Sequence, residues 1–223
     1  MPSVITQYLR PDKSLVQSFA SLGSATVHEA AGRIGAVNPA IKPLRPGIRI
    51  LGTAVTVDCH PRDNLMLHKA LQIAEPGDVL VATTGGLYDA GYWGGLMATS
   101  AMARNLAGLA IDACVRDSEE MVEMGFPVFC RGTCILGTTK CVAGNINHPL
   151  LFGGVTVQPG DLILGDDDGM VVIPQADMQR ILDASLRRVE AETVKAEKLR
   201  QGITSVELNK LDPVFKSLGL IEE

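Results

Sequence analysis

The sequence predicts a single α/β domain in a layered arrangement, with a C-terminal helical arm over about residues 175–223. Apolar segments of strand length alternate with helix-like segments between Ile48 and Arg131, a pattern typical of α/β folds. From Gly132 to Pro174 the chain is β-rich with closely spaced turns, and a long charged segment follows. No internal repeat or clear linker interrupts the 223 residues, so we expect one domain over 1–223.

The composition limits the class of protein. Hydrophobic residues make up 46% and charged residues 20% of the chain, which favours a globular core over disorder. The net charge of -5 and the lack of a basic run argue against nucleic-acid binding. No apolar run approaches the roughly 20 residues of a membrane span, and residues 1–13 lack the apolar core of a signal peptide.

The five cysteines are odd in number and form no CxxC motif. We interpret them as reduced thiols with packing roles, which together with the absence of a signal sequence predicts a cytoplasmic protein. They are Cys59, Cys114, Cys130, Cys134 and Cys141.

The first quarter of the chain is predicted to hold two short helices and one strand. Apolar residues recur at helical spacing in the first helix, a glycine ends the second, and Val, Ile and Thr dominate the strand. A proline-spaced loop precedes that strand. The elements are a helix over Ser14–Ser21, a helix over Thr26–Ala31, a loop over Pro39–Pro46 and a strand over Ile48–Cys59.

The central segment is predicted to alternate helices and strands. Asp63 supplies an N-cap for the first of these helices, and a glycine-rich loop covers Gly85–Gly95. The predicted helices are Asp63–Ala74, Leu96–Asn105 and Ser118–Met124, and the predicted strands are Val79–Thr83, Leu109–Cys114 and Val128–Arg131.

The last third is predicted to contain short strands and one long helix. The run Asp166–Gly169 reads as a hairpin turn, although three successive aspartates superficially resemble a metal cluster. The predicted strands are Gly154–Gly160, Asp161–Gly165 and Met170–Pro174, followed by a helix over Gln175–Arg200.

The glycine-rich loop predicts an anion site at the start of the following helix. Free backbone N–H groups and the helix dipole attract negative charge, and glycines let a ligand approach the backbone closely. The spacing is neither GxGxxG nor a P-loop, so a small carboxylate suits the run Gly94–Met97 better than a dinucleotide. The alternative is a loose turn between strand and helix.

Arg116 and Asp117 follow an apolar strand, where ligands gather in open α/β sheets. Arg offers a rigid bidentate fork for a carboxylate or an enolate oxygen. Asp is a hard oxygen ligand for Mg²⁺ or Mn²⁺. The alternative is that Asp117 only caps the helix that begins at Ser118, paired with Arg116.

Seven short motifs spread over nearly the whole chain complete this pattern. With them the chain resembles the 4-hydroxy-4-methyl-2-oxoglutarate / 4-carboxy-4-hydroxy-2-oxoadipate aldolase family, a group of class II pyruvate aldolases. That family shares its fold with the regulator of ribonuclease activity A, so the resemblance implies an RraA-like α/β/β sandwich of the swivelling-domain type. The motifs are Ala25–Gly32, Pro61–Asn64, Glu75–Asp78, Gly94–Thr99, Val115–Asp117, Gly160–Asp161 and Asp166–Gly169.

The resemblance implies a role for each central residue. Arg116 would bind pyruvate and stabilise its enolate, and Asp117 would be the direct metal ligand. Catalytic members of the family carry that Asp and the ribonuclease regulators lack it, so Asp117 points to the enzyme branch. The backbone of Gly94, Gly95, Leu96 and Met97 would cradle the carboxylate, with the N–H groups of Leu96 and Met97 as donors.

One position departs from the family. Gly95 stands where these aldolases usually carry an acid that holds a water on the metal, and a glycine has no such side chain. Asp89 lies in the same loop and is a candidate substitute. A relative with altered chemistry is the other interpretation.

The resemblance also implies a homotrimer or a homohexamer with active sites at subunit boundaries. An acid from the neighbour's C-terminal helix would then contribute, with Glu192 the best match and Glu190 second, although a solvated helix face explains both residues equally well. Asn64 and His68 lie one helical turn apart and could face the distal carboxylate of the substrate, while a satisfied core histidine remains the alternative for His68. We expect His28 and Glu29 to be structural.

The activity implied is cleavage of 4-hydroxy-2-oxo di- or tricarboxylates to pyruvate and a keto acid, with Mg²⁺, Mn²⁺ or Co²⁺ as cofactor. Oxaloacetate decarboxylation would be a side activity, because it passes through the same enolate. An isomerase or a decarboxylase on the same site is a further alternative. The rival class is a non-catalytic ring that binds a ribonuclease or another protein partner.

Overall fold

The computed structural model describes residues 1–220, and a strongly curved eight-stranded sheet forms its centre. Two small two-stranded sheets complete the β structure. The strands are β1 (Lys42–Pro43), β2 (Ile50–Asp58), β3 (Asp78–Thr83), β4 (Gly108–Ile111), β5 (Cys114–Val115), β6 (Val128–Cys130), β7 (Gly132–Thr133), β8 (Asn145–Ile146), β9 (Leu150–Phe152), β10 (Val155–Val157), β11 (Leu162–Asp166) and β12 (Gly169–Ile173).

The main sheet combines a parallel centre with antiparallel edges. Its order is β1-β6-β4-β3-β2-β11-β12, and β8 pairs with β2. Strands β2, β3, β4 and β6 run parallel to one another, so their carboxyl ends meet at one edge of the sheet. The strands at both ends of the order pair antiparallel. The parallel strands are buried almost throughout, as strands covered on both faces are.

The sheet curls until its two edge strands approach each other. The Lys42 ammonium on β1 donates to the Asp168 carbonyl at 2.8 Å, in the turn before β12. The Val37 N–H, just upstream of β1, donates to the Met170 carbonyl of β12 at 3.0 Å. The inner face of this nearly closed sheet is filled by aliphatic and aromatic side chains such as Phe129 and Ile163, both fully buried.

The helices cover the sheet in two groups. Those between the parallel strands pack Leu67, Ala98 and Met121 against one face. The second and sixth helices pack on β11 and β12. The helices are α1 (Lys13–Gln17), α2 (Ser24–Ala30), α3 (Leu65–Ile73), α4 (Gly95–Ala103), α5 (Ser118–Met124), α6 (Met178–Arg200), α7 (Ser205–Asn209) and α8 (Asp212–Ser217), with a 3₁₀ turn over Gln175–Asp177.

These elements confirm the predicted α/β class with a C-terminal helical arm. The helix over Ser118–Met124 has the predicted bounds. The helix predicted over 63–74 spans Leu65–Ile73, and its N-cap is Asn64 and not the predicted Asp63, although the Asp63 Oδ1 accepts from the Leu65 N–H at 2.9 Å. The Asp166–Gly169 run is a hairpin turn, as predicted: the Asp166 carboxylate accepts from the Ser24 N–H and the Asp168 N–H.

Other predictions were also wrong in detail. The first helix is shorter than predicted and ends at Gln17, and the predicted loop over 39–46 contains the short strand β1. The predicted strand over 109–114 is two strands in different sheets, β4 and β5. The chain turns at Asp112, whose carboxylate pairs with the Arg131 guanidinium and accepts from the Gly153 N–H, so the apolar run does not continue straight.

The C-terminal arm begins as part of the core and ends exposed. Only the first two turns of α6 bury side chains, namely Met178, Ile181, Leu182 and Ser185. The predicted arm extends to residue 223, and residues 221–223 lie outside the described part of the chain. Among residues 1–220, none of the helices combines the length and the apolarity that crossing a bilayer requires.

Candidate active site

A short two-stranded ladder holds the two halves of the predicted site together. The glycine-rich loop that leaves β3 passes beside the segment that leaves β4. The Tyr92 N–H donates to the Cys114 carbonyl at 3.1 Å, and the Arg116 N–H donates to the Trp93 carbonyl at 2.8 Å. Gly94 and Asp117 are the next residues on the two segments. The start of α4 and the Arg116-Asp117 pair therefore meet beyond the carboxyl ends of the parallel strands.

The backbone of Asp117 has an uncommon, left-handed conformation. Its φ of 53° and ψ of 40° are left-handed, which is uncommon for a residue other than glycine. Asp117 precedes α5, yet its side chain makes no capping bond to that helix. Its Oδ2 instead accepts from the Gly95 N–H at 3.1 Å, across the ladder. Asp117 therefore occupies the N-cap position of α5, as the alternative interpretation has it, but its side chain bonds across the ladder instead of capping that helix.

Two glycines make this close approach possible. A Cβ on Gly94 would overlap the Asp117 carboxylate, and a Cβ on Gly91 would overlap the Cys134 carbonyl and the Arg116 side chain. Any other residue at these positions would push the Arg116-Asp117 segment away from α4. Glycine is therefore required here for space, as the glycine-rich loop suggested.

Arg116 and Asp117 face a cavity of about 220 Å³. The Arg116 Nε lies 3.7 Å from the Asp117 Oδ2, and both side chains are about half exposed. Residues at the start of α4 line it as well. The cavity is lined by Asn64, His68, Gly91, Tyr92, Trp93, Gly94, Leu96, Met97, Arg116, Asp117, Gly137, Thr138 and Lys140.

The α4 N-terminus offers fewer free donors than predicted. The Gly95 N–H is bound to Asp117, and the Met97 N–H donates to the Gly94 carbonyl at 3.1 Å. Within residues 1–220, the Leu96 N–H has no hydrogen-bond acceptor. Of the two predicted backbone donors, Leu96 is therefore the one available to a ligand carboxylate in this arrangement.

The structure places beside the α4 N-terminus a carboxylate that sequence reasoning missed, although this residue, Glu120, does not itself line the cavity. Glu120 lies three residues after Asp117 in the first turn of α5. Its carboxylate occupies the space that a side chain at position 95 would begin to fill, because a Cβ built on Gly95 overlaps the Glu120 carboxyl atoms. The spacing of Asp117 and Glu120 places them on one helical face, a signal that the sequence carried.

Asn64, His68 and Lys140 also line the cavity. The Asn64 side chain is buried, and its amide nitrogen donates to the Tyr92 carbonyl at 2.9 Å. Burial and the neighbouring Lys140 ammonium lower the pKa of His68 below its usual value of 6.5, so its imidazole is neutral at pH 7. Lys140 is a second residue that the sequence alone did not single out.

Three predicted candidates lie elsewhere in the chain. The Asp89 carboxylate is engaged by the Arg62 guanidinium, which lowers its pKa, and it does not line the cavity. Asp89 is therefore a poor substitute for the acid missing at position 95. Glu192 lies on α6 in an ion pair with Arg188 at 2.8 Å, and neither Glu192 nor Glu190 lines the cavity of its own chain.

The residues expected to be structural have structural contacts. Glu29 on α2 forms an ion pair with Arg33 at 3.1 Å and approaches Arg188 of α6 at 3.8 Å. His28 lies on the same short helix. These contacts tie α2 to the C-terminal helix, away from the cavity.

Comparison with known proteins identifies relatives over most of the chain. The family model described as "RraA-like: Aldolase/RraA" matches residues 24–172. A protein of Halalkalibacterium halodurans named "Putative 4-hydroxy-4-methyl-2-oxoglutarate aldolase" is 34% identical over 173 residues, covering 78% of this chain and 82% of the relative.

Solved structures of similar fold support the same family. An uncharacterized protein of Pseudomonas syringae has a TM-score of 0.81 at 26% identity, covering 91% of this chain and all of the other. Streptomyces coelicolor RraAS2, described as an unusual member of the RNase ES inhibitor RraA protein family, has a TM-score of 0.77 at 29% identity, covering 85% and 99%. The chain belongs to the RraA-like aldolase/RraA family.

Proposed function

We propose that this protein is a divalent-metal-dependent lyase, a class II pyruvate aldolase that cleaves 4-hydroxy-2-oxo di- and tricarboxylates. The observation that carries the proposal is the meeting of Arg116, Asp117 and the α4 N-terminus in one cavity. Relatives named as 4-hydroxy-4-methyl-2-oxoglutarate aldolases support it. We further propose that residues 1–223 act as one domain of this type.

The side chains present fit a Mg²⁺, Mn²⁺ or Co²⁺ ion. Asp117 and Glu120 provide two carboxylates beside the α4 N-terminus, and Mg²⁺ is usually bound by one or two carboxylates together with waters and substrate. Among the described residues, no group of three or more His, Cys, Asp or Glu side chains is placed to hold a metal ion, so waters and the substrate would complete the coordination of an ion at Asp117 and Glu120. When bound, the ion supplies Lewis-acid polarisation of the keto oxygen.

The chain's own groups hold the keto acid and its charge. The Leu96 N–H, at the positive end of the α4 dipole, donates to the C1 carboxylate. The Arg116 fork contacts the 2-oxo oxygen, where negative charge grows as the C3–C4 bond breaks. Loss of the 4-hydroxyl proton releases a keto acid and leaves the enolate of pyruvate, which takes a proton at C3. Loss of CO₂ from oxaloacetate gives the same enolate.

The proposed role of Glu192 as the acid that assists proton removal requires a second copy of the chain, since Glu192 lies outside its own cavity. Exposed apolar side chains support such an assembly: Leu96, which lines the cavity, is 87% exposed, and Ile135 is 94% exposed. We propose a homotrimer or homohexamer with active sites between copies. Light scattering tests this directly, and a monomer that is fully active would remove Glu192 from the mechanism.

We propose a cytoplasmic enzyme whose ligand is a small keto acid, with neither nucleic acid nor a membrane as partner. The net charge of -5 and the five unpaired cysteines support this, because disulfides are rare in reducing compartments.

Pyruvate release tests the function. The purified chain with Mg²⁺, Mn²⁺ or Co²⁺ is expected to release pyruvate from oxaloacetate and from 4-hydroxy-4-methyl-2-oxoglutarate, and chelation by EDTA is expected to stop it. A coupled lactate dehydrogenase assay measures the product. A protein that is inert with all three metals would overturn the enzyme proposal.

The second candidate is a non-catalytic regulator that binds a ribonuclease or another protein. It is favoured by the similarity to RraAS2, whose description names an RNase ES inhibitor family, and by the glycine at position 95. Metal titration by calorimetry separates the two, because a docking ring has no need of an ion at Asp117. Binding of Mg²⁺ that is lost on replacing Asp117 would favour the enzyme.

Glu120 provides a prediction of its own. Glu120→Gln is expected to weaken metal binding roughly tenfold, because one of two carboxylates loses its charge. The double variant Gly95→Asp with Glu120→Ala is expected to recover part of the affinity, since Gly95 is not in a left-handed conformation and a side chain there meets chiefly Glu120. Calorimetry measures both, with Glu119→Gln on the same helical turn as the matched control. Unchanged affinity in Glu120→Gln would exclude Glu120 as a ligand.

A further inference from the structure

A second cavity opens at the carboxyl ends of the parallel strands, the edge where ligands collect in α/β sheets. Its volume is about 350 Å³, and it shares no lining residue with the cavity at Arg116 and Asp117. Its lining comes from the ends of β2, β3 and β4, from the loop that follows β3 and from the turn between β9 and β10. The proposed lyase reaction uses none of these groups.

The side chains at this end of the sheet form a polar row. Asp58 and Thr83 are the last residues of β2 and β3 and are paired neighbours. Asp112 and Arg131 come directly after β4 and β6. Thr83, Asp112 and Arg131 each stand two residues after a member of the apolar cluster inside the sheet, and side chains two apart on a strand share a face. The inner face therefore changes from apolar to polar where this cavity begins.

The Arg131 guanidinium is held on one edge and on one face. Its Nε donates to the Asp112 carboxylate, and its central carbon lies 4.1 Å from the centre of the Tyr88 ring. The Arg131 side chain is only 19% exposed. Among the hydrogen bonds of residues 1–220, neither Nη group of Arg131 is a donor. The Nη edge of this oriented fork is therefore free to bind an anion.

Two glycine turns bring backbone donors to the same cavity. Gly86 lies in the loop after β3, and Gly154 lies in the turn between β9 and β10. A Cβ built on either residue meets no atom within 4 Å, so open space adjoins both backbones. In the described part of the chain, neither N–H has a backbone acceptor. Backbone donors are thus available to an anion bound at the Arg131 edge.

Asp58 places an unpaired carboxylate at the other end of the row. Its Oδ2 accepts from the Asn145 amide at 3.4 Å, which is a long bond. Within residues 1–220, no cationic side chain pairs with Asp58. Together with Asp112 and Arg131 it leaves the cavity one negative charge in excess. That excess repels a simple anion and attracts a ligand that also carries a cationic group.

The spacing of the row suits a small ligand with both charges. Asp58 and Asp112 end strands that flank β3, so their backbones are roughly 10 Å apart at the usual spacing of neighbouring strands. The Arg131 guanidinium lies beside Asp112. An ammonium and a carboxylate on one carbon, with a hydrogen bond at each end, span a gap of about this size. The exposed Leu151 side chain adds an apolar contact.

We propose that this second cavity binds a small aliphatic α-amino acid as a zwitterion. Asp58 accepts from the ammonium, the Nη edge of Arg131 donates to the carboxylate, and Leu151 contacts the side chain. Asp112 and Tyr88 are positioning residues, because they act on the ligand only through Arg131. The site is separate from the cavity at Arg116, and it does not depend on the proposed lyase activity.

Three probes of nearly equal shape test the inference. L-Valine carries both charges, L-valinamide carries the ammonium alone, and 3-methylbutanoate carries the carboxylate alone. Calorimetry at about pH 6.5 keeps both ammonium groups charged, since α-amino groups have pKa values of about 7.7–8.0. The wild type is expected to bind L-valine at least about tenfold more tightly than either analogue, because each analogue loses one charge-assisted contact.

Two variants assign the ends of the ligand. Asp58→Asn keeps the shape and removes the charge, so it is expected to lower L-valine affinity about tenfold and to erase the preference over 3-methylbutanoate. Tyr88→Leu loosens the Arg131 fork. It is expected to weaken the binding of L-valine and of 3-methylbutanoate about threefold and to leave L-valinamide unaffected, a split that a general loss of structure would not produce.

The matched control is Asp183→Asn, which is expected to bind L-valine as the wild type does. Asp183 is exposed on α6 and accepts from Gln179 at 3.0 Å. Asp117→Asn locates the ligand, because Asp117 lines the other cavity, and L-valine affinity is expected to stay within about twofold.

Several results would overturn the inference. A wild type that binds L-valine no better than 3-methylbutanoate has no use for the ammonium. Equal binding of L-valinamide points to the N-terminus of a peptide, which has an ammonium without an adjacent carboxylate. An Asp58→Asn protein that keeps the full preference excludes Asp58, and loss of L-valine binding in Asp117→Asn places the ligand at the reaction centre instead.

Discussion

Asp117→Asn is expected to reduce pyruvate release by at least about 10²–10³-fold, the usual effect of removing one electrostatic group from a reaction centre. Asparagine also tolerates the left-handed backbone, and its side-chain oxygen can still accept from the Gly95 N–H. What it removes is the negative charge that holds a divalent ion. The lactate dehydrogenase assay measures the rate and calorimetry measures the loss of Mg²⁺ binding.

Stability separates this effect from misfolding. Because Asp117 is 43% exposed and Asn preserves the conformation, the free energy of unfolding is expected to change by no more than about 0.5 kcal/mol. Asp177→Asn serves as control, since Asp177 also precedes a helix and pairs with Arg180 at 2.9 Å. Near-normal turnover in Asp117→Asn, with metal binding intact, would remove Asp117 from the site.

Arg116→Lys is expected to lower turnover by about 10²-fold or more, although the charge is unchanged. The guanidinium presents parallel N–H groups in a fixed plane, which suits an enolate and a carboxylate oxygen together. An ammonium on a flexible stem reproduces the charge but not the fork. Single-turnover kinetics with oxaloacetate measures the chemical step.

Comparing the loss of turnover with any loss of Mg²⁺ binding distinguishes a catalytic role of Arg116 from a structural one. Mg²⁺ binding is expected to stay within about twofold of the wild type, since Asp117 and Glu120 remain. Arg180→Lys, at an exposed i,i+3 ion pair, is the control and is expected to be neutral. If Arg116→Lys turned over normally, Arg116 would have no part in stabilising the enolate.

The parallel part of the sheet could be predicted from the sequence because the signals that mark its strands are local. Runs such as Val79–Thr83 are apolar and β-branched, and turns with glycine or proline bound them. The prediction of one strand over 109–114 was wrong because it relied on local signals alone. Nothing within residues 109–114 indicates that the Asp112 carboxylate will pair with Arg131, nineteen residues later, where the chain turns out of the sheet.

The candidate site shows the same difference between local sequence signals and contacts made by distant segments. Arg116 and Asp117 could be predicted, because they follow a strand and match a family motif. Glu120 was missed because its place depends on the empty space at Gly95, which belongs to another helix. Lys140 was missed because the buried contacts of Asp63 bring its loop to α3. Relations between distant segments are what a single sequence reveals least.

The ladder that joins residues 91–93 to 114–116 couples occupancy of the site to local opening of the chain. Only a few backbone bonds hold the two segments together, among them those from the Tyr92 and Arg116 amides. A ligand that bridges Asp117 and the α4 N-terminus binds only while the ladder is closed, so it slows the opening that allows these amides to exchange with solvent. The two amide protons are therefore natural reporters of a filled site, readable by NMR without any assay of turnover.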